Sequence, residues 1–359
     1  MVEYVRVGNL HDGDVIARTI YDEKCNVLLR NGNRLSGAAI STIRRYGYKG
    51  VYIINGTNER REEIPIPEPL VDDLIWLQMS GLISDIFDDK DHDPFNSIFA
   101  LKRKKLEEKV RDIVEKFYSI KANGELLYET EDARHQNTWL YYHSINTCII
   151  AIGICIYLGL DKERTYGIAL GAIYHDIGKK FLPDSLINRK DISDDEKMLL
   201  RTHAENGFRL FQKINTYSID TTYSIWFHHE REDGSGYPNG VPGDKIPLGA
   251  KIVGLASSYD NMINYNPYNY NPLKQEDALE LLSADTRFDT DCVSAMMKFV
   301  VPYPVGTRVK LSNGIEGVVI KNVTALPLRP YILCGSKVID LASNDDYRAL
   351  VITKDLEVS

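Results

Sequence analysis

The first sixty residues alternate short apolar runs with turn-forming residues. Val5–Val7, Val15–Tyr21 and Val27–Arg30 are separated by Asp12-Gly13, Lys24–Asn26 and Asn31-Gly32, which predicts short strands in a small α+β unit. His11 reads as a turn residue. Ser36 stands where an N-cap opens a helix through Ile40 and Ile43, ending near Gly47, and Val51–Ile54 is a further strand. Pro65, Pro67 and Pro69 favour an extended connector over 62–69, because each fixes φ and lacks an N–H donor. A helix is expected around Leu74–Ile86 and a solvated acidic loop over Asp85–Asp93. A second helix, Asn96–Ile120, follows from the spacing of Ile98, Leu101, Leu106, Val110, Ile113, Val114 and Phe117.

Helical periodicity continues from Trp139 to Val300, and then the texture changes. Val305–Leu311 alternates, Ser312-Asn313-Gly314 marks a tight turn, and Glu316–Ile320, Tyr331–Cys334 and Ala349–Ile352 alternate again. These patterns give a multidomain, mainly α chain. An α+β unit (1–60) is followed by a linker and helical connector (61–133), an all-helical domain (134–300) and a small β barrel or meander (301–359).

Charge narrows the possible partners. The net charge is −8 over 359 residues, so no bulk field draws in DNA, RNA or an anionic membrane. An anionic ligand therefore needs a local cationic or metal site. Cys148–Leu160 is the most apolar run; it is short for a bilayer and carries Gly153 and Gly159, which indicates a buried core helix rather than membrane insertion. Met1–Leu10 lacks the apolar stretch of a signal peptide. The five cysteines show no CxxC spacing, as expected for reduced thiols in the cytoplasm. The apolar positions around Leu74–Ile86 offer a surface for a homodimer.

Candidate chemistry concentrates in the helical domain. Five of the eight histidines fall there, in the set His143, His175-Asp176, His203 and His228-His229; His11, His92 and His135 stand outside it. A single histidine on an apolar face is usually a satisfied core residue. Adjacent His-Asp and His-His pairs in apolar helical sequence are different, because so many buried titratable groups without partners cost several kcal/mol. A metal ion is the common solution. Asp176 can bridge two cations through its two oxygens, Gly178 reads as a helix stop, and Lys179 can reach a phosphate oxygen. After His228-His229, the glycine-rich run Asp233–Gly240 can turn tightly and present N–H groups to an anion. Nitrogen and carboxylate donors without thiolate suit iron, manganese or zinc.

The elements His175-Asp176-Ile177-Gly178-Lys179 and His228-His229-Glu230-Arg231-Glu232-Asp233-Gly234-Ser235-Gly236-Tyr237-Pro238 resemble those of the HD-GYP family, a branch of the HD superfamily of metal-dependent phosphohydrolases. The resemblance covers about residues 134–300. It implies an all-helical HD-type domain whose divalent metal centre hydrolyses cyclic di-GMP to pGpG or GMP in bacterial signalling. It also implies metal ligation by His143, His175, Asp176, His203, His228 and His229, with Asp176 bridging. Lys179 then acts on the phosphates, and Gly236, Tyr237 and Pro238 shape the substrate pocket and contact regulatory partners.

Three positions depart from the family pattern. Trp139 stands where members with a third metal place a glutamate, which favours two ions. Ser257 replaces an aspartate ligand, with Asp260 one turn further along the same face as a candidate substitute. Asn266 and Asn269 replace cations that hold nucleotide phosphates. Three readings follow: a cyclic di-GMP phosphodiesterase with reduced activity or altered substrate, a degenerate domain acting as a nucleotide sensor or as a scaffold for a partner such as a diguanylate cyclase, or an enzyme hydrolysing another phosphate ester.

Overall fold

A computed structural model describes residues 2–22, 26–46, 48, 50–54, 70–89, 93, 95–124, 126–128, 139–324 and 326–355. The expected proline-rich connector, Cys25, Gly47, His92 and His135 lie outside these residues. The chain divides into two compact units: Met1–Leu77 with Leu127–His135 and Lys298–Ser359, and Gln78–Leu126 with Gln136–Met297.

In the first unit, strands β1 (Val2–Arg6), β2 (Val15–Ile16) and β5 (Gly50–Ile54) form an antiparallel sheet in the order β1-β5-β2. Strands β3 (Ile20–Tyr21) and β4 (Val27–Leu29) form a separate ribbon. Helix α1 (Gly37–Arg45) opens at Ser36, whose side chain accepts from the Ala39 N–H. That bond satisfies one of the donors a helix start leaves without a partner. Val7, Ile16, Ile20, Leu35, Ile43, Val51 and Ile53 form the core here. His11 lies in an exposed turn, its N–H donating to Asp14.

Strands β6 (Arg308–Leu311), β7 (Glu316–Lys321), β8 (Tyr331–Cys334), β9 (Lys337–Asp340) and β10 (Ile352–Asp355) form one antiparallel sheet, ordered β10-β6-β7-β8-β9. Gly314, at φ 85°, makes the turn between β6 and β7. Val309, Leu311, Val319, Ile332 and Ile339 alternate into its core.

Helix α2 (Asp73–Phe87) matches the helix expected around Leu74–Ile86 and carries Asp85, the first residue of the expected acidic loop, within it. The second unit continues with α3 (Ser97–Asn123), capped by Asn96. Then come α4 (Trp139–Tyr157), α5 (Lys162–Tyr174), α6 (Asp184–Ile187), α7 (Asp194–Arg201), α8 (His203–Ile214), α9 (Ile219–Phe227), α10 (Leu248–Ile263), α11 (Gln275–Ala284) and α12 (Thr290–Met296). Helix α4 is apolar on every face and buried from Tyr142 to Ile156, packed against α5, α10 and α12. It is long and apolar enough to cross a membrane, yet 89% of its apolar window is buried inside the protein, which makes it a central core helix. Cys148, Cys155 and Cys292 are buried free thiols.

Candidate metal centre

Helix ends deliver most of the histidines. His175 follows α5, His203 opens α8, and His228 follows α9, while His143 projects from within α4. A helix end leaves carbonyls without partners, and the chain meets this need in the same way three times. His175 Nδ1 donates to Ala172 O (2.7 Å), His203 Nδ1 to Leu200 O (2.6 Å) and His228 Nδ1 to Ile225 O (2.8 Å). In each ring the proton is thereby fixed on Nδ1, leaving the Nε2 lone pair free to act as a ligand.

Those lone pairs converge on Asp176 in two groups. His203, His228 and His229 gather with Asp176 in one; His143 and His175 gather with the same Asp176 in the other. Within each group the donor atoms lie within 4.8 Å of one another. His203 Nε2 is 3.4 Å from His228 Nε2, 3.2 Å from His229 Nε2 and 3.3 Å from Asp176 Oδ1. His143 Nε2 is 3.1 Å from His175 Nε2, and Asp176 Oδ2 lies 3.4 Å from His175 Nε2 and 3.9 Å from His143 Nε2. Donors bound at about 2.1 Å to one ion stand roughly 3.0–3.4 Å apart. Both groups approach that spacing, and lone pairs pointed at one another repel unless a cation lies between them. The donor set therefore fits a divalent transition metal.

Burial reinforces the fit. It lowers the pKa of His175 to about 3 and that of His203 to about 4, and holds His228 and His229 well below the usual histidine value. All four rings are neutral at pH 7, the form in which a histidine can ligate a metal. Burial works against the Asp176 carboxylate, yet the Lys179 ammonium at 2.6 Å keeps it ionised.

Gly178 does not stop a helix. It sits inside a 3-10 turn, Ile177–Phe181, where a Cβ would come within 1.9 Å of His203 O. Only a glycine lets this turn press against α8 and bring Asp176 to His203. Lys179 is buried over the same turn, with Nζ on Asp176 Oδ2 and 5.0 Å from the centre of the Trp139 ring. Trp139 is itself buried, its Nε1 3.3 Å from Asn188 Oδ1 and its ring against Tyr268.

The glycine-rich loop does not offer its amides to a ligand in the expected way. The N–H groups of Asn239 and Gly240 donate to Glu230 Oε1, and that of Val241 to Oε2, so the loop's own buried carboxylate takes them. Glu230 was missed in the sequence, although a carboxylate beside a run of free amides is the signal for such a clasp. Gly236 fits because a Cβ would come within 2.4 Å of the Glu230 backbone and His229 O. Tyr237 stacks on His229 with ring centres 4.4 Å apart, and a cis peptide joins it to the exposed Pro238.

The departures from the family pattern have definite locations. Asp260 lies outside both ligand groups. Its Oδ2 accepts from His143 Nδ1 at 2.6 Å and its Oδ1 from Asn264 at 2.8 Å, so it stands behind His143 and orients the ring. Ser257 Oγ is 3.2 Å and Asn261 Nδ2 is 3.5 Å from His143 Nε2. The Asn266 and Asn269 amides both bond to Asn261 O at the end of α10, and Asn269 also reaches Met262 O. These two asparagines cap a helix.

Comparison with known proteins agrees with this geometry. Residues 131–292 match the family model of the HD domain. The chain is 32% identical over 184 residues to a cyclic di-GMP phosphodiesterase of Pseudomonas aeruginosa, covering 51% of this chain and 44% of that protein. It is 36% identical over 145 residues to the cyclic di-GMP phosphodiesterase response regulator RpfG of Xanthomonas campestris, covering 39% and 38%. The fold is shared with a solved HDG"Y"P protein from Bdellovibrio bacteriovorus at 17% identity and a TM-score of 0.51, covering 82% of this chain and 98% of that one. The chain spans about half the length, or less, of these curated relatives. Fold and site define an HD domain. More narrowly, the chain carries a domain of the HD-GYP family.

Proposed function

We propose that the chain is a phosphodiesterase that hydrolyses cyclic di-GMP to pGpG or GMP, through two divalent transition-metal positions sharing Asp176. The observation that carries this reading is the pair of ligand groups joined by one carboxylate, with the Lys179 ammonium beside it. Iron or manganese is the expected metal, with zinc as a further candidate. When bound, the ions supply Lewis-acid polarisation of a phosphoryl oxygen and activation of water. The histidines hold the ions, Asp176 joins the two positions, and Lys179 binds a phosphate oxygen and stabilises the charge that develops there. Tyr237, fixed on His229, walls the pocket together with Gly236 and Pro238. We assign 134–300 as the catalytic domain of a cytoplasmic signalling protein, with 1–60 and 301–359 as accessory modules and a homodimer as the assembly.

A second reading, a degenerate domain that senses a nucleotide or docks a diguanylate cyclase, is favoured by one specific observation. The Asn266 and Asn269 amides are engaged with α10 carbonyls and supply no positive charge for phosphates. The test is hydrolysis of cyclic di-GMP with added Mn(II) or Fe(II), run beside Asp176→Ala. Product from the wild type and none from the variant supports the enzyme. Equal rates from the two leave only the sensor or scaffold reading.

A further inference from the structure

The two ligand groups differ in what already satisfies them. In the His203–His228–His229 group, the polar neighbours of the three Nε2 atoms among the described residues are one another and Asp176 Oδ1. His203 and His228 both have Nδ1 on a carbonyl, so their Nε2 lone pairs face each other and Asp176 Oδ1, and a cation between them would satisfy all three. The His143–His175 group also brings two acceptors together, the Nε2 atoms 3.1 Å apart, but here protein donors already reach His143 and Asp176. Asp260 takes the Nδ1 proton of His143, so its Nε2 is an acceptor, and the Ser257 hydroxyl and Asn261 amide face it at 3.2 and 3.5 Å. The only carboxylate oxygen on this side, Asp176 Oδ2, already carries the Lys179 ammonium at 2.6 Å. Trp139 backs that ammonium at 5.0 Å, in a pocket with 7% of Lys179 exposed. Cation–π attraction strengthens when the cation is desolvated, so the ammonium is held in place from both sides.

We infer that the two metal positions are unequal, and that in the resting protein Lys179 supplies the positive charge a second ion would otherwise bring. One ion is held by Asp176, His203, His228 and His229. A second ion at His143 and His175 must displace Lys179 from Oδ2 and break the donor contacts of Ser257 and Asn261. Lys179 and Ser257 thus set metal stoichiometry, whatever their part in turnover. This inference rests on the proposed metal centre but concerns binding, so it is tested without any turnover.

The experiment is calorimetric titration of the metal-free full chain with Mn(II), followed in parallel by EPR. Wild type should take up one equivalent tightly, giving the spectrum of an isolated ion. A second equivalent should bind about tenfold to a hundredfold more weakly, the range set by displacing one charge-assisted hydrogen bond. Lys179→Met should narrow that gap about tenfold or more by freeing Oδ2. Ser257→Asp, which adds an anionic donor and leaves Lys179 in place, should narrow it independently and give the signal of a coupled ion pair. Two equally tight ions in wild type, or an unchanged gap in both variants, overturns the inference while the metal-centre reading stands. No Mn(II) uptake at all overturns both.

Discussion

The two halves of the centre are built from the same residue types and share one carboxylate, yet they place opposite demands on a cation. In the His203–His228–His229 half the lone pairs of His203 and His228 face each other and Asp176 Oδ1, an arrangement that an ion between them would relieve. In the His143–His175 half the two Nε2 atoms also face each other, at 3.1 Å, but Lys179 neutralises Asp176 Oδ2, Ser257 and Asn261 donate to His143, and Asp260 holds that ring from behind. Ligand identity alone therefore does not fix metal number. What the neighbouring side chains donate decides whether a ligand set calls for an ion or rests without one.

The largest disruption comes from the shared residue. Asp176→Ala removes the anion common to both halves and leaves Lys179 buried without its partner. Breaking a buried pair in this way costs about 3–5 kcal/mol. Metal analysis should find no bound ion, and chemical denaturation should show the loss of stability. A variant that keeps its metal would detach Asp176 from the centre.

Single histidine variants then separate the halves. His203→Ala should release the tight ion, whereas His143→Ala should retain it, as read by metal content after dialysis. If both variants lose metal alike, the halves are equivalent and the comparison fails.

Acid provides a milder probe of the metal-free protein. The folded pKa values of His175 and His203 are lowered from 6.5 to about 3 and about 4, chiefly by burial. Between those values and 6.5 the unfolded chain binds more protons than the folded one, so stability rises with pH across this window. Their contribution is complete above about pH 6.5 and is lost as the pH falls toward 4 and then 3. Bound metal should delay that loss, since protons then compete with the ion. Thermal melts across the window, with and without Mn(II), measure the difference; coincident curves would speak against ligation by these rings.

The smallest effect belongs to the loop beside the tight half. Glu230→Gln replaces a carboxylate that accepts three backbone N–H groups with an amide carrying one acceptor oxygen, costing about 1–3 kcal/mol. Exchange of the Asn239, Gly240 and Val241 amides should accelerate while the tight ion stays bound.

Much of this architecture was legible in the chain. Ser36 announced its helix because an N-cap is a local device, the spacing of Leu106, Val110, Ile113, Val114 and Phe117 announced α3, and Tyr331–Cys334 alternates cleanly enough to mark its strand without help. Strand β9 was missed; Lys337-Val338-Ile339-Asp340 is short, and its pairing with β8 supplies most of its definition. The grouping of the N- and C-terminal segments into one compact unit depends on contacts distant in sequence, which periodicity does not report. At the site, the His-Asp and His-His pairs marked residues that the fold gathers around Asp176. The engagement of Asp260 with Nδ1 rather than Nε2 of His143 depends on a ring orientation set by packing. The same is true of Asn266 and Asn269, whose roles are decided by where the end of α10 places its carbonyls. Glu230 was hidden for a related reason: its three amide partners lie nine to eleven residues along the chain.

The most direct test of the unequal centre is to see where a single ion goes. Crystals grown with one equivalent of Mn(II) per chain, measured for anomalous scattering at the manganese edge, should show one strong peak among Asp176, His203, His228 and His229. Peaks of equal height in both halves, or a lone peak between His143 and His175, would contradict the account.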